Sequence, residues 1–172
     1  MYVYDNVLND KECEFLIRYF NRHYNNEENT GNNFSRILTL TLNTNWRTVS
    51  WTHWFHIRVN LIRRKCLRRV MEEIPLKLQY AQVVHWSSGS FLDLHYDIDY
   101  PHEGEGSVND FVTVCYLNDN FEGGETVLDY NDMKPKRGKL IAFPSKEILH
   151  GVKPVRGDRY THIAWWRISN AN

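Results

Sequence analysis

From residue 76 to its end the chain is written almost entirely in short β-type runs. Val, Tyr, Phe and Thr concentrate at 76–86, 91–99, 111–117, 125–130, 138–143 and 159–168, and clusters of Gly, Pro, Asn and Asp separate these runs. No helical stretch intervenes, which argues against a parallel sheet of βαβ units and for an antiparallel sandwich or jelly roll. With 172 residues, 42% of them apolar and 14% aromatic, there is material for one such core and little for a second. We expect a single domain over 1–172, with helical support over about 1–75 and a mainly β core over about 76–169.

The first 75 residues carry a different period. After a short β-like start, Asn9 or Asp10 can cap a helix whose Cys13, Leu16, Ile17 and Phe20 follow the i, i+3, i+4, i+7 pattern. Segment 25–35 is rich in turn formers and reads as a loop. From Val49 to Ile74, Trp51, Phe55, Val59, Ile62, Cys66, Val70 and Ile74 recur every three or four residues and predict one long helix or two short ones. Arg63, Arg64, Lys65, Arg68 and Arg69 read as its solvated face.

Twenty-one basic and 21 acidic side chains cancel, so no global field favours nucleic acid or an anionic membrane. Cys13, Cys66 and Cys115 are odd in number and embedded in apolar runs, which predicts buried reduced thiols. The N-terminus lacks a basic region leading into an apolar stretch, and no run approaches the roughly 18 apolar residues of a membrane span. The expectation is a soluble, cytoplasmic protein without membrane or nucleic-acid partners.

The segment Phe91-Leu-Asp-Leu-His-Tyr-Asp-Ile-Asp99 alternates strictly. On a strand, Asp93, His95, Asp97 and Asp99 share one face, and Leu92, Leu94, Tyr96 and Ile98 the other. Three carboxylates beside one imidazole repel one another unless they sit in water or a cation neutralises them, and a divalent metal resolves that conflict. His-x-Asp supplies two ligands, and a facial triad needs one more imidazole, for which His150 is the best placed. By parity alone Asp93 or Asp99 could stand in for Asp97. His53 and His56, spaced for one helical face, have no third ligand nearby, and His85 reads as a core or rim histidine.

His95-x-Asp97, the distal His150 and a basic residue nine positions later, Arg159, together resemble the 2-oxoglutarate and Fe(II) dioxygenases. Tyr116-Leu-Asn-Asp-Asn-Phe-Glu-Gly-Gly-Glu-Thr126 extends the resemblance to the prolyl 4-hydroxylase branch, over roughly residues 80–168. The resemblance implies a double-stranded β-helix with iron in its mouth, held by His95, Asp97 and His150, and Fe(II), 2-oxoglutarate, O2 and ascorbate as its chemical partners. It implies oxidative decarboxylation of 2-oxoglutarate to succinate coupled to hydroxylation, here of proline in a peptide or protein. A free amino acid, a small metabolite, a nucleobase, or a non-catalytic cupin-like metal module are the alternatives.

Arg159 is expected to take the remote carboxylate of 2-oxoglutarate, for which a guanidinium fork suits better than an ammonium. Arg156 is a competitor, but Arg159 opens the strand that carries Trp165 on the same face. Tyr116 matches the family tyrosine that holds the same carboxylate, and Trp165 resembles its substrate-pocket tryptophan. Trp86 stands where the prolyl hydroxylases usually place a cofactor-binding tyrosine, and its indole can donate one bond but accept none. Collagen-type relatives carry lysine at the site corresponding to Arg159. Segment 100–110 has the composition of a lid.

Overall fold

The computed structural model of the chain describes residues 1–24, 35–39, 58, 61, 62, 64–66, 68, 69, 76–97 and 110–168. His53, His56, Asp99 and nearly all of the expected lid fall outside them.

Helix α1, Asp10–His23, begins where its sequence says it should. The Asn9 side chain accepts from the Glu12 N–H while Glu12 reaches back to the Asn9 N–H, a capping box that satisfies two otherwise orphaned donors. Cys13, Leu16 and Phe20 are buried as the spacing predicts, and Phe15 and Tyr19 widen the stripe. Burying a side chain the size of Leu16 stabilises the fold by about 1.5–3 kcal/mol. The described residues between 58 and 69 are helical too, and Ile62 and Cys66 join α1 in the same apolar cluster. No described helix is long and apolar enough to cross a membrane.

The strands are β1 Tyr2–Tyr4, β2 Ser35–Thr39, β3 Leu76–Trp86, β4 Leu92–His95, β5 Phe111–Tyr116, β6 Glu122–Gly123, β7 Thr126–Leu128, β8 Asn131–Met133, β9 Leu140–Phe143, β10 His150–Val152, β11 Val155–Arg156 and β12 Arg159–Ile168. They form a major sheet in the order β1-β9-β5-β12-β3-β2, a minor sheet β4-β10-β7-β8, and a small β11-β6 pair, with every pairing antiparallel. This is the jelly-roll architecture. The region before residue 75 does more than buttress it, because β1 and β2 close both edges of the major sheet.

β5 is buried at every position because its sheet is covered on both faces. Phe111 and Cys115 face α1 and the helical residues, whereas Val112, Val114 and Tyr116 face the minor sheet. β12 obeys the same alternation. His162, Ala164 and Trp166 are buried, while Arg159, Ile163 and Trp165 look into the cavity between the sheets. The three cysteines are buried and unpaired, as expected.

Candidate active site

β4 pairs with β10 so that His95 stands opposite His150, with ring centroids 4.3 Å apart. The strand ends at His95. Beyond it the Asp97 N–H donates to the Ser145 carbonyl at 3.0 Å, which turns the chain back toward the two rings. Asp97 Oδ1 lies 3.6 Å from His95 Nε2 and 3.5 Å from His150 Nε2. Ligand atoms of the three residues lie within 4.8 Å of one another, the one such group found among the described residues. Asp93, which parity alone left open, is exposed and contributes only its carbonyl.

Both imidazoles are aimed by main chain. His95 Nδ1 lies 2.8 Å from the Asp93 carbonyl and His150 Nδ1 2.9 Å from the Ile148 carbonyl. A protonated Nδ1 donating to each carbonyl leaves the Nε2 lone pairs pointing inward, the arrangement by which proteins orient metal-binding histidines. Two imidazoles and one carboxylate on one side of a point, the rest open to a cavity, fit a ferrous ion that must also take small ligands.

This closeness depends on Gly151. A Cβ there would stand 2.6 Å from the Leu92 carbonyl oxygen and 3.2 Å from that of Asp93, both rigid backbone. Gly151→Ala must therefore push β10 off β4. Overpacking of this kind costs about 1–3 kcal/mol, at roughly 2–4 °C of melting midpoint per kcal/mol for a chain of this size. We expect calorimetry to show that fall together with weaker metal binding; an unchanged midpoint would contradict the contact.

The trio is electrostatically coupled. Burial pushes the Asp97 carboxyl up, but attraction to the facing His150 and His95 imidazoles outweighs it and holds the group below the usual carboxylate range. The nearby Asp97 carboxylate in turn raises His95. Asp97 is thus ionised in advance, whereas His95 keeps its proton to a pH above the ordinary imidazole value of about 6.5. Metal must displace that proton. Affinity for Mn(II) is expected to climb as pH rises through the raised titration of His95 and to be lost at lower pH; a titration flat across that rise would contradict the coupling.

At the other end of a cavity of about 80 Å3 lies Arg159, only 1% exposed. Its Nη2 donates to Thr126 Oγ1 at 3.1 Å, while Nε and Nη1 have no protein partner. The guanidinium carbon lies 5.3 Å from the Trp86 ring centroid and 5.5 Å from that of Tyr116. Burial pulls its pKa down to about 10, so it remains cationic at neutral pH. A buried cation with two idle donors and aromatic walls is poised for an anion. Val112, Val114, Phe143, Val152 and Ile163 line the passage from this cation to the His/Asp trio.

The Gly-Gly-Glu-Thr stretch has a physical role here. Gly123 and Gly124 adopt φ of +69° and +63°, and a Cβ on Gly124 would come within 2.9 Å of the Arg159 side chain. Two residues on, Thr126 Oγ1 takes both the Tyr116 hydroxyl at 2.8 Å and the arginine. Thr126 is missed by reasoning on sequence alone, although it closes the quoted motif.

Of the expected site residues, His95, Asp97, His150, Arg159, Trp86 and Trp165 all line this one cavity, and Tyr116 packs behind it against the arginine. The Trp86 indole N–H is directed at Thr161 Oγ1, at a long 3.4 Å. Arg156, the competitor, is exposed and pairs with Glu122 at the surface. His85 is buried outside this cavity, paired with Asp158 at 2.7 Å and stacked on Tyr160.

The sequence model of the 2OG-Fe(II) oxygenase superfamily matches residues 79–167. Prolyl 3-hydroxylase 2 of Rattus norvegicus is 40% identical over 68 residues, 34% of this chain but 10% of that much longer protein. A probable prolyl 4-hydroxylase 3 of Arabidopsis thaliana is 25% identical over 202 aligned positions, 97% of this chain and 69% of its own length. In structure, the viral collagen prolyl hydroxylase of Paramecium bursaria Chlorella virus-1, solved with 2-oxoglutarate, superposes with a TM-score of 0.68 at 22% identity, covering 98% of this chain and 96% of that one.

Proposed function

Because the chain belongs to the 2OG-Fe(II) oxygenase superfamily, we propose that it hydroxylates proline in a peptide or protein, with Fe(II) held by His95, Asp97 and His150. One observation carries the reading: a convergent His/Asp/His trio and a buried arginine with two unpaired donors face each other across the same small cavity. A metal-binding module without turnover has no use for the second element.

When bound, iron and 2-oxoglutarate together reduce O2, decarboxylating the oxo acid to succinate and inserting one oxygen atom into a substrate C–H bond. The chain's own residues bind and orient. Arg159 takes the remote carboxylate of the oxo acid as a fork, one arm being the unpaired Nε or Nη1 and the other the neighbouring Nη2. The Tyr116 hydroxyl, now donating to Thr126, lies within the same hydrogen-bonded group, and the Trp86 face flanks the guanidinium. The apolar walls exclude water from the space between anchor and trio, which strengthens each of these contacts. Ascorbate belongs to the proposal as the reductant that keeps iron ferrous. So do one oxygenase domain over 1–172 and a reducing, cytoplasmic setting, the latter supported by three unpaired thiols.

The test is succinate release from 2-oxoglutarate under Fe(II), ascorbate and oxygen, with and without proline peptides. Release that rises with peptide, together with oxygen added to the proline ring in the mass spectrum, is the expected result. Turnover indifferent to proline but raised by a free amino acid, metabolite or nucleobase moves the substrate elsewhere. Metal binding without any succinate, coupled or uncoupled, would sink the reading in favour of a cupin-like module.

A further inference from the structure

The two oxygens of the Asp97 carboxylate are held by different partners. Oδ1 faces both histidines, and Oδ2 accepts the indole N–H of Trp165 at 3.1 Å. The indole is itself pinned. Tyr80, its register partner on β3, stacks on it at 4.4 Å between centroids and 14° between planes. The β12-β3 ladder then slips between Trp165 and Trp166, a bulge of the kind that re-aims side chains beside active sites. Trp166 points the other way, fully buried, with its N–H on Thr113.

From this geometry, and resting on the metal-site reading above, we propose that Trp165 is a positioning residue for Asp97 and that Tyr80 is its brace. By occupying Oδ2, the indole restricts Asp97 to donating Oδ1 alone, so a metal keeps open positions that a two-oxygen carboxylate would take. Trp165 also lines the cavity, so the expected contact with substrate stands beside this role. Tyr80, 37% exposed, covers the stacked face of the indole.

Trp165→Phe retains an aromatic ring for the stack while deleting the donor and part of the indole's bulk. Mn(II) affinity of the purified chain, read by calorimetric titration, is expected to fall about 10- to 100-fold, the usual cost of losing a partner that orients a ligand. The visible spectrum of the Co(II)-loaded variant should change as Asp97 gains freedom to donate both oxygens, while the melting midpoint of the metal-free chain holds. Tyr80→Ala should weaken Mn(II) binding in the same direction by less, and it decides the matter if Trp165→Phe does not fold. Unchanged Mn(II) affinity and Co(II) spectrum, with only the KM for a peptide raised, would overturn the inference and leave Trp165 a substrate contact. Failure of the unsubstituted chain to bind Mn(II) would overturn the metal site and this inference together.

Discussion

His150→Ala is expected to abolish both coupled and uncoupled succinate release and to weaken Mn(II) binding by more than the roughly 100-fold that loss of an outer partner can cost. Among the described residues only three donors converge, so removing one leaves His95 and Asp97, too few to hold the ion against water. The variant also strips Asp97 of one of the two imidazoles that keep its carboxyl ionised. His150 begins a short strand and is only 9% exposed, so the metal-free melting midpoint must be measured alongside. A variant that folds, binds Mn(II) like the parent and still releases succinate would remove His150 from the site.

Arg159→Lys is the second large effect. The ammonium preserves charge but cannot reproduce a fork, and its shorter reach forfeits the bond to Thr126 as well. Losing one charge-assisted hydrogen bond to a buried carboxylate costs about 1.5–3 kcal/mol, which corresponds to on the order of a 10- to 150-fold rise in the KM for 2-oxoglutarate. Mn(II) affinity should stay near the parent value, because the arginine touches none of the three donors. A KM within twofold of the parent would mean the cofactor is anchored elsewhere, whereas equal losses in KM and Mn(II) affinity would point to collapse of the cavity.

Much of this site was legible in the sequence because its determinants are local. Alternation along 91–95 exposed the first ligand, and the resemblance to the 2-oxoglutarate and Fe(II) dioxygenases picked out Arg159, without any tertiary information. The α1 boundary was equally local, written in Asn9 and Glu12. Strict alternation nevertheless failed at one point. It put Asp93 and Asp97 on one strand face, whereas the strand ends at His95 and a main-chain bond to Ser145 brings Asp97 round. That bond joins segments 48 positions apart and leaves no trace in either.

The same holds for the short strands. β2 falls next to a stretch read as loop, and β6, β8 and β11 have two or three residues each. Such elements are defined by their partners, since two or three residues cannot display a period. Thr126 and Gly151 went unassigned for a related reason. One is chosen by hydrogen bonds to Arg159 and Tyr116, the other by contact with β4, and neither choice has a signature along the chain.

The carbonyls that aim the two imidazoles belong to residues two positions upstream in each case, Asp93 and Ile148. Every amino acid carries a carbonyl, so no single replacement of another side chain can delete either acceptor. The contact between Oδ2 and the indole has no such insurance, since a side chain supplies it. Mutational tolerance is therefore unevenly distributed around the centre: the acceptors behind the histidines survive any replacement of the Asp93 and Ile148 side chains, whereas replacing Trp165 costs Asp97 a donor.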